Sequence, residues 1–286
     1  MLLTTLLLAC SSPATTRMLA LDAGLSTHSC GLDGRGEVVC WGHTGDPAQI
    51  PAGPFVAISA GQSHSCALRA DGQAVCWGDA SDVTGTPPSV AFAQLDAGYK
   101  FTCGVGVDQR LRCWGYNDKG QRRAPKGPFT QVSTGTTHAC ALATDGAVTC
   151  WGQADDGRTG ALDQGPPWPE RPISRRGPYT AVSAGFKHSC ALRPDGTLDC
   201  WGSDTAGRAT SPGGTFLQVA TGYQFNCGLR DDRSLTCWGG GSKGQLDAPP
   251  GAFSSVSAGD YHACALRLDG VPFCWGWDLA GQASPP

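Results

Sequence analysis

Apolar and polar residues alternate along this chain in short runs cut by glycine, and the same interrupted run recurs. One copy reads Phe55-Val56-Ala57-Ile58-Ser59-Ala60-Gly61, two variable residues, His64-Ser65-Cys66-Ala67-Leu68-Arg69-Ala70-Asp71-Gly72, then Gln73-Ala74-Val75-Cys76-Trp77-Gly78. Period-two runs bounded by glycine predict three short strands, A, B and C, joined by tight turns. Few stretches between the 41 glycines and 20 prolines are long enough for a helix. Successive Cys-Trp-Gly triplets lie 36, 37, 37, 50, 37 and 37 residues apart, so one unit occurs seven times and the fourth carries an insertion of about thirteen residues. Such a period belongs to solenoids and propellers. A solenoid needs atypical capping units, whereas the first unit (Leu21-Asp22-Ala23-Gly24) and the last (Cys274-Trp275-Gly276) keep the signature. The expectation is an all-β, seven-bladed propeller over residues 18–286, with three antiparallel strands per blade and room for a fourth in the Gly-Gln…Pro tail.

Each unit also carries two cysteines ten positions apart: Cys30 and Cys40, Cys66 and Cys76, Cys103 and Cys113, Cys140 and Cys150, Cys190 and Cys200, Cys227 and Cys237, Cys264 and Cys274. If Ala70-Asp71-Gly72 is a three-residue hairpin loop with Gly72 left-handed, Arg69 faces Gln73 and Cys66 falls opposite Cys76. Such a non-hydrogen-bonded pair has Cα atoms ~4.5 Å apart, within disulfide reach. Each bridge would close an eleven-residue loop, worth ~2.5–3 kcal/mol by chain entropy, and brace its own blade. Gly36, Gly72, Gly146, Gly196 and Gly270 occupy the turn position, but the third and sixth units have Gln109 and Arg233, which predicts two strained or different turns. The same two units replace the usual histidine by Phe101 and Phe225.

Composition sets the compartment. With 40% hydrophobic and 16% charged residues the chain is a folded domain, and a net charge of −3 without a run of Lys or Arg argues against nucleic acid as a partner. Paired cysteines imply an oxidising compartment, and Leu2 to Ala9 has the length of a signal-peptide core, too short to span a bilayer. Leu7-Leu8-Ala9-Cys10 resembles the lipobox of bacterial lipoproteins, although no Lys or Arg precedes the apolar core. The reading is therefore a lipoprotein signal over 1–9, lipidation of the fifteenth cysteine, Cys10, and a tether over 10–17. That implies a lipid-anchored protein of the bacterial envelope, at the outer membrane or surface.

Ala-Gly-x-x-His-Ser-Cys-Ala-Leu-Arg-x-Asp-Gly…Trp-Gly, followed in the third unit by Tyr116-Asn117-Asp118-Lys119-Gly120-Gln121 and Pro125, resembles the repeat of the regulator of chromosome condensation family. The short repeat is similar to the bacterial type represented by β-lactamase inhibitor protein II, and the paired cysteines are similar to those of crinkly-type plant receptor ectodomains. The resemblance implies a propeller used as a binding platform.

Candidate chemistry sits within that frame. His28, His64, His138, His188 and His262 share one repeat position and are expected to hydrogen-bond between blades, because bridged cysteines cannot join them as metal ligands. The repeat tryptophans are expected to pack between blades. Asp71, Asp145, Asp195 and Asp269 are explained by turn chemistry. No nucleophile-base pair, phosphate loop or metal pattern stands out, so no catalytic residue, metal or cofactor is assigned. The A–B turns and the residues after Trp-Gly should share one rim. That rim would display Tyr99, Lys100, Tyr116, Phe186, Lys187, Tyr223, Tyr261 and Trp277, with Trp168, Arg171, Arg175 and Arg176 added by the insertion. Aromatics among polar residues at variable turns resemble interface hot spots. The expected function is a non-enzymatic, anchored monomer that binds a protein or glycan through this rim. An envelope enzyme with an axial pocket and an enzyme inhibitor are the alternatives.

Overall fold

A computed structural model describes residues 16–286 except 45–48, 79–85 and 161–172. Cys10 and Trp168 lie outside the described residues. The chain folds into seven antiparallel sheets, each made of consecutive strands A, B and C. The A strands are Met18–Ala23, Ala57–Ala60, Phe92–Ala97, Phe129–Thr134, Ala181–Ala184, Phe216–Thr221 and Phe253–Ala258. Among the described residues no helix is long and apolar enough to cross a membrane.

The hairpin register is the one the turn predicts. Arg69 and Gln73 close the B–C loop, Gly72 is left-handed at φ 82°, and Cys66 stands opposite Cys76. The same pairing puts Cys30 opposite Cys40, Cys103 opposite Cys113 and Cys140 opposite Cys150. In the last three blades it puts Cys190 opposite Cys200, Cys227 opposite Cys237 and Cys264 opposite Cys274. All seven pairs are bridged within their own blades, with Cα atoms 4.0 or 4.1 Å apart. That is somewhat closer than the ~4.5 Å expected of an unbridged pair at a non-hydrogen-bonded site. Gln109 and Arg233 take the glycine conformation, at φ 61° and 69°, so the third and sixth turns keep their shape and carry the strain of a Cβ there. The turn aspartates accept the amide of the residue two places on, as Asp71 does from Gln73 at 2.9 Å and Asp195 from Thr197 at 2.9 Å.

Among the described residues the Gly-Gln tail adds no fourth strand. Blade 4 alone has one, Ile173–Arg175, which comes from the end of the insertion and pairs with the outer strand Val148–Gly152. The insertion therefore covers a sheet edge at its described end, and the Arg175 guanidinium lies 4.5 Å from the centroid of the Trp201 ring.

The core lies between blades. Phe101 and Val105 of blade 3 share one cluster with Phe129, Val132, Ala139 and Trp151 of blade 4, and the other clusters repeat this arrangement around the ring. Blade 7 meets blade 1 in the same way: Met18 packs with Leu266, and His262 reaches Ser29 at 2.8 Å.

Candidate functional site

Three regions hold the chemistry of the ring: the axis, the seams between blades, and the rim where strand A turns into strand B. The bridged cysteines belong to the scaffold that positions these regions. Cys113, Cys150, Cys200 and Cys237 sit in the middle of their C strands with their sulfurs consumed by Cys103, Cys140, Cys190 and Cys227, which leaves no thiolate for a metal or a nucleophilic step.

At the axis, one repeat position supplies Asp22, Ser59, Asp96, Ser133, Ser183, Ala220 and Ser257 in turn around the ring. Six of these side chains accept a backbone N–H from the next blade. Ser257 takes that of Ala23, Asp22 that of Ala60, Ser59 that of Ala97, Asp96 that of Thr134, Ser133 that of Ala184 and Ser183 that of Thr221. Only Ala220 lacks an oxygen. The Ser59 hydroxyl sits between the carboxylates, 3.2 Å from Asp22 and 3.5 Å from Asp96. Burial raises both acids, and the neighbouring Asp22 charge adds to the rise at Asp96, to about 7. Charged groups thus converge on the axis, as an axial enzyme would require. However, the cavity there holds about 80 Å³ and its acids are already engaged by amides and hydroxyls. It has room for water rather than a substrate. Among the described residues no three His, Cys, Asp or Glu gather as metal ligands.

In the seams, the repeat histidines work as predicted, each reaching the blade ahead. Nε2 of His28, His64, His138, His188 and His262 meets Ser65 at 3.1 Å, Thr102 at 2.8 Å, Ser189 at 2.8 Å, Asn226 at 2.7 Å and Ser29 at 2.8 Å. Burial pushes His28 and His188 down to about 4 and His262 to about 3, so these rings are neutral. Where a blade has phenylalanine instead, the next blade has alanine: Phe101 faces Ala139, and Phe225 faces Ala263.

The tails complete these seams. After Trp-Gly the chain makes a turn with a left-handed glycine (Gly120, Gly157, Gly207, Gly244 and Gly281, φ 70–81°), and the next residue is buried in the seam to the following blade. In four seams its carbonyl accepts the indole N–H of that blade: Gln121 from Trp151 at 2.7 Å, Arg158 from Trp201 at 3.0 Å, Gln245 from Trp275 at 2.9 Å and Gln282 from Trp41 at 2.9 Å. In two of these the hydroxyl bonded to the histidine points at the same carbonyl, Ser189 to Arg158 at 3.1 Å and Ser29 to Gln282 at 3.2 Å. In the fifth seam the Asn226 amide donates to the Arg208 carbonyl at 2.8 Å. In these three seams the histidine therefore carries its proton on Nε2, the hydroxyl or amide passes the polarity on, and the wedge carbonyl ends the chain.

The rim is where the sequence places it. The residue after Trp-Gly donates its amide to the last residue of the A–B turn: Tyr116 to Lys100 at 2.9 Å, Ser203 to Lys187 at 2.9 Å and Trp277 to Tyr261 at 2.8 Å. Four of the predicted aromatics form a continuous arc over blades 5 to 7. Phe186 stacks on Tyr223 at 4.0 Å, Tyr223 leans on Tyr261 at 5.4 Å, and Tyr261 meets Trp277 edge-on at 5.8 Å. All four are half-buried. Lys187 lies 5.5 Å from the Phe186 ring centroid and pairs with Asp156 at 3.2 Å. Tyr99 and Lys100 stand apart from the arc, beside a cleft at blades 1 and 2, with the Lys100 ammonium 5.6 Å from the Tyr99 centroid. Tyr116 is 44% exposed, and its hydroxyl is held by Asp118, which raises its pKa; it joins neither group. Asp260, next to Tyr261 in the same rim turn, is raised to about 7 by burial.

These regions together define a class: a disulfide-braced seven-bladed propeller whose blades are tied to one another by hydrogen bonds at the axis and in the seams and whose rim turns carry the variable side chains. The chain matches the regulator of chromosome condensation repeat in six segments, 55–82, 92–121, 129–158, 179–208, 216–245 and 253–282, and belongs to that family. Among solved structures it is similar to the crinkly ectodomain of the Arabidopsis thaliana receptor kinase ACR4, with 25% identity over 95% of this chain and 98% of that one and a TM-score of 0.76. It is also similar to the ectodomain of the Physcomitrella patens receptor kinase CR4, with 26% identity over 92% of this chain and 74% of that one and a TM-score of 0.74. Prp20p of Saccharomyces cerevisiae, described with its binding to Gsp1p and histones, shares the fold at 18% identity over 93% of this chain and 83% of that one, with a TM-score of 0.70. No protein of curated function matches the chain.

Proposed function

We propose that this protein is a non-enzymatic binding scaffold of the cell exterior that holds a protein partner on its rim, chiefly through Phe186, Tyr223, Tyr261 and Trp277, with Lys187 beside them. The aromatic arc carries this reading. Four large rings, two of them tyrosines, lie side by side across three blades at turn positions and remain half-exposed, which suits a desolvated contact patch with little loss of side-chain entropy. Family membership supports a platform role, and seven disulfides support an oxidising compartment. Tyr99, Lys100 and Tyr116 extend the face toward blade 3.

The test is partner capture from envelope and extracellular fractions, comparing the disulfide-bonded ring with a variant in which the four aromatics are alanine. Loss of the captured protein with unchanged melting is the expected result, and equal capture by both sinks the rim assignment. Lipid anchoring at Cys10 belongs to the same proposal. Cys10→Ser is expected to move the protein from the membrane fraction to the soluble fraction and to abolish incorporation of labelled fatty acid.

A further inference from the structure

The aromatic arc leaves one charge unanswered. Asp260 sits in the A–B turn of blade 7 immediately before Tyr261, and among the described residues its carboxylate accepts no hydrogen bond and pairs with no cation. The buried acids of the axis are answered, Asp22 by the Ala60 amide and Asp96 by that of Thr134, and Asp156 on the rim meets Arg158 at 2.7 Å. A half-buried carboxylate without a donor costs free energy that a cation recovers. Burial, then the neighbouring Tyr223 and Asp260, raise the Tyr261 phenol, so the carboxylate lies within electrostatic reach of that ring. The rings beside it are set at angles, Tyr223 at 41° to Tyr261 and Tyr261 at 86° to Trp277. Rings inclined in this way, rather than stacked, are the arrangement that encloses organic cations. The cations beside the arc are committed elsewhere: Lys187 pairs with Asp156 at 3.2 Å, and Arg208, which faces Tyr223, donates to the Ser203 carbonyl at 2.8 Å.

We propose that this corner of the rim holds an arginine side chain of the bound protein, its guanidinium laid against Tyr223, Tyr261 and Trp277 and paired with the Asp260 carboxylate. The chain contains its own template. Where blades 4 and 5 meet, Arg193 lies 5.1 Å from the Tyr179 centroid and 3.2 Å from Asp199, and Arg175 lies 4.5 Å from the Trp201 centroid and 3.4 Å from the same carboxylate. Tyrosine, tryptophan and aspartate there receive guanidinium groups, and the rim brings together the same three residue types with no cation on the acid. Other rings of the chain are covered in the same way, Phe55 by Arg69 at 4.8 Å, Phe216 by Arg230 at 4.7 Å and Phe253 by Arg267 at 5.3 Å. Guanidinium suits the corner better than ammonium, because its planar fork stacks on a ring while its edge meets a carboxylate. The inference rests on the reading of the rim as the binding face and names the chemistry of what that face holds.

The probe is the peptide acetyl-Gly-Arg-Gly-amide, titrated into the disulfide-bonded protein and read by the Trp277 indole N–H resonance, which is assigned by its loss in Trp277→Phe. A saturable shift in the millimolar range is expected. The same peptide with citrulline, equal in shape but uncharged, should bind about tenfold more weakly, and the lysine peptide about threefold more weakly. Asp260→Asn should weaken the arginine peptide about fivefold without lowering the melting temperature, and Tyr261→Leu should weaken it by a similar factor while Tyr261→Phe binds normally. Asp260→Asn carries the test if Tyr261→Leu does not fold. Absence of any saturable shift at millimolar peptide overturns the proposal, as do equal binding of the citrulline peptide, tighter binding of the lysine peptide or of tetramethylammonium, and indifference to Asp260→Asn. If the four-alanine variant loses its captured partner while the parent protein ignores the arginine peptide, the rim assignment stands and the guanidinium site falls.

Discussion

The seam between blades 4 and 5 and the seam between blades 3 and 4 occupy the same place in the repeat and are built from opposite chemistry. In the first, His138 donates to Ser189, Ser189 donates to the Arg158 carbonyl, and Trp201 donates to that same carbonyl. In the second, Phe101 packs on Ala139, and Trp151 alone holds the Gln121 carbonyl. The difference teaches that the unit of variation is a pair across a blade boundary. A histidine facing alanine, or a phenylalanine facing serine, would bury a polar group without its partner, at a cost of about 1–3 kcal/mol. The chain avoids both mismatches: each Phe blade is followed by Ala and each His blade by Ser, Thr or Asn.

The largest expected effect tests what both seams depend on, the stiffness of the sheets they join. Full reduction of the seven bridges should lower the melting temperature by more than about 20 °C, since each closes a loop worth ~2–3 kcal/mol. Non-reducing mass spectrometry that found fourteen free thiols would remove this basis altogether. Next comes the pair rule. His138→Phe alone should destabilise by about 3 kcal/mol in denaturant melts, and adding Ser189→Ala should recover at least about half. Strict additivity of the two changes would break the comparison.

Smaller is a contrast in pH response between seams and axis. Burial lowers the seam histidines, so their contribution is present above pH 6.5 and lost as pH falls toward 4. The axial carboxyl of Asp96 is raised, so its contribution is full below pH 3.8 and lost as pH rises through about 7. Asp96→Asn should therefore gain on the parent protein by about 2 kcal/mol between pH 5 and pH 8, less than the full shift implies because the axial cavity admits water. A pH-independent difference would deny that acid its altered titration. The smallest effect concerns the Phe blades, which also carry the non-glycine turns. Gln109→Gly and Arg233→Gly should each stabilise by about 0.5 kcal/mol, left-handed strain outweighing the added chain entropy.

What was legible in the sequence follows from distance along the chain. The bridges and the left-handed turns depend on residues ten or fewer apart, and the register of one hairpin fixes both. The seam pairs are about 37 residues apart or more. Phe101 and Phe225 stand out as a subclass, but their compensation at Ala139 and Ala263 lies one unit further on, where only the assembled ring brings it into contact. The Gly-Gln tail suggests a fourth strand because local pattern does not say which blade a segment will touch; it is a wedge in the next seam instead. Asp22 and Asp96 carry a signal that is easily passed over, since they replace Ser59, Ser133, Ser183 and Ser257 at a fixed step. The rim aromatics are legible as a set, whereas their division into an arc at blades 5 to 7 and a separate Tyr99 is not, because it depends on which turns are neighbours in space.

The wedge has a consequence for how such rings grow. Each unit from blade 3 to blade 7 ends in the segment that seals it to whatever follows, and the donor side of that seal, a tryptophan, a hydroxyl or an amide, is supplied by the successor. A duplicated unit that carries both the histidine and the hydroxyl, as blades 1, 2 and 5 do, therefore arrives with both halves of the joint, and blade number can rise or fall by such whole units.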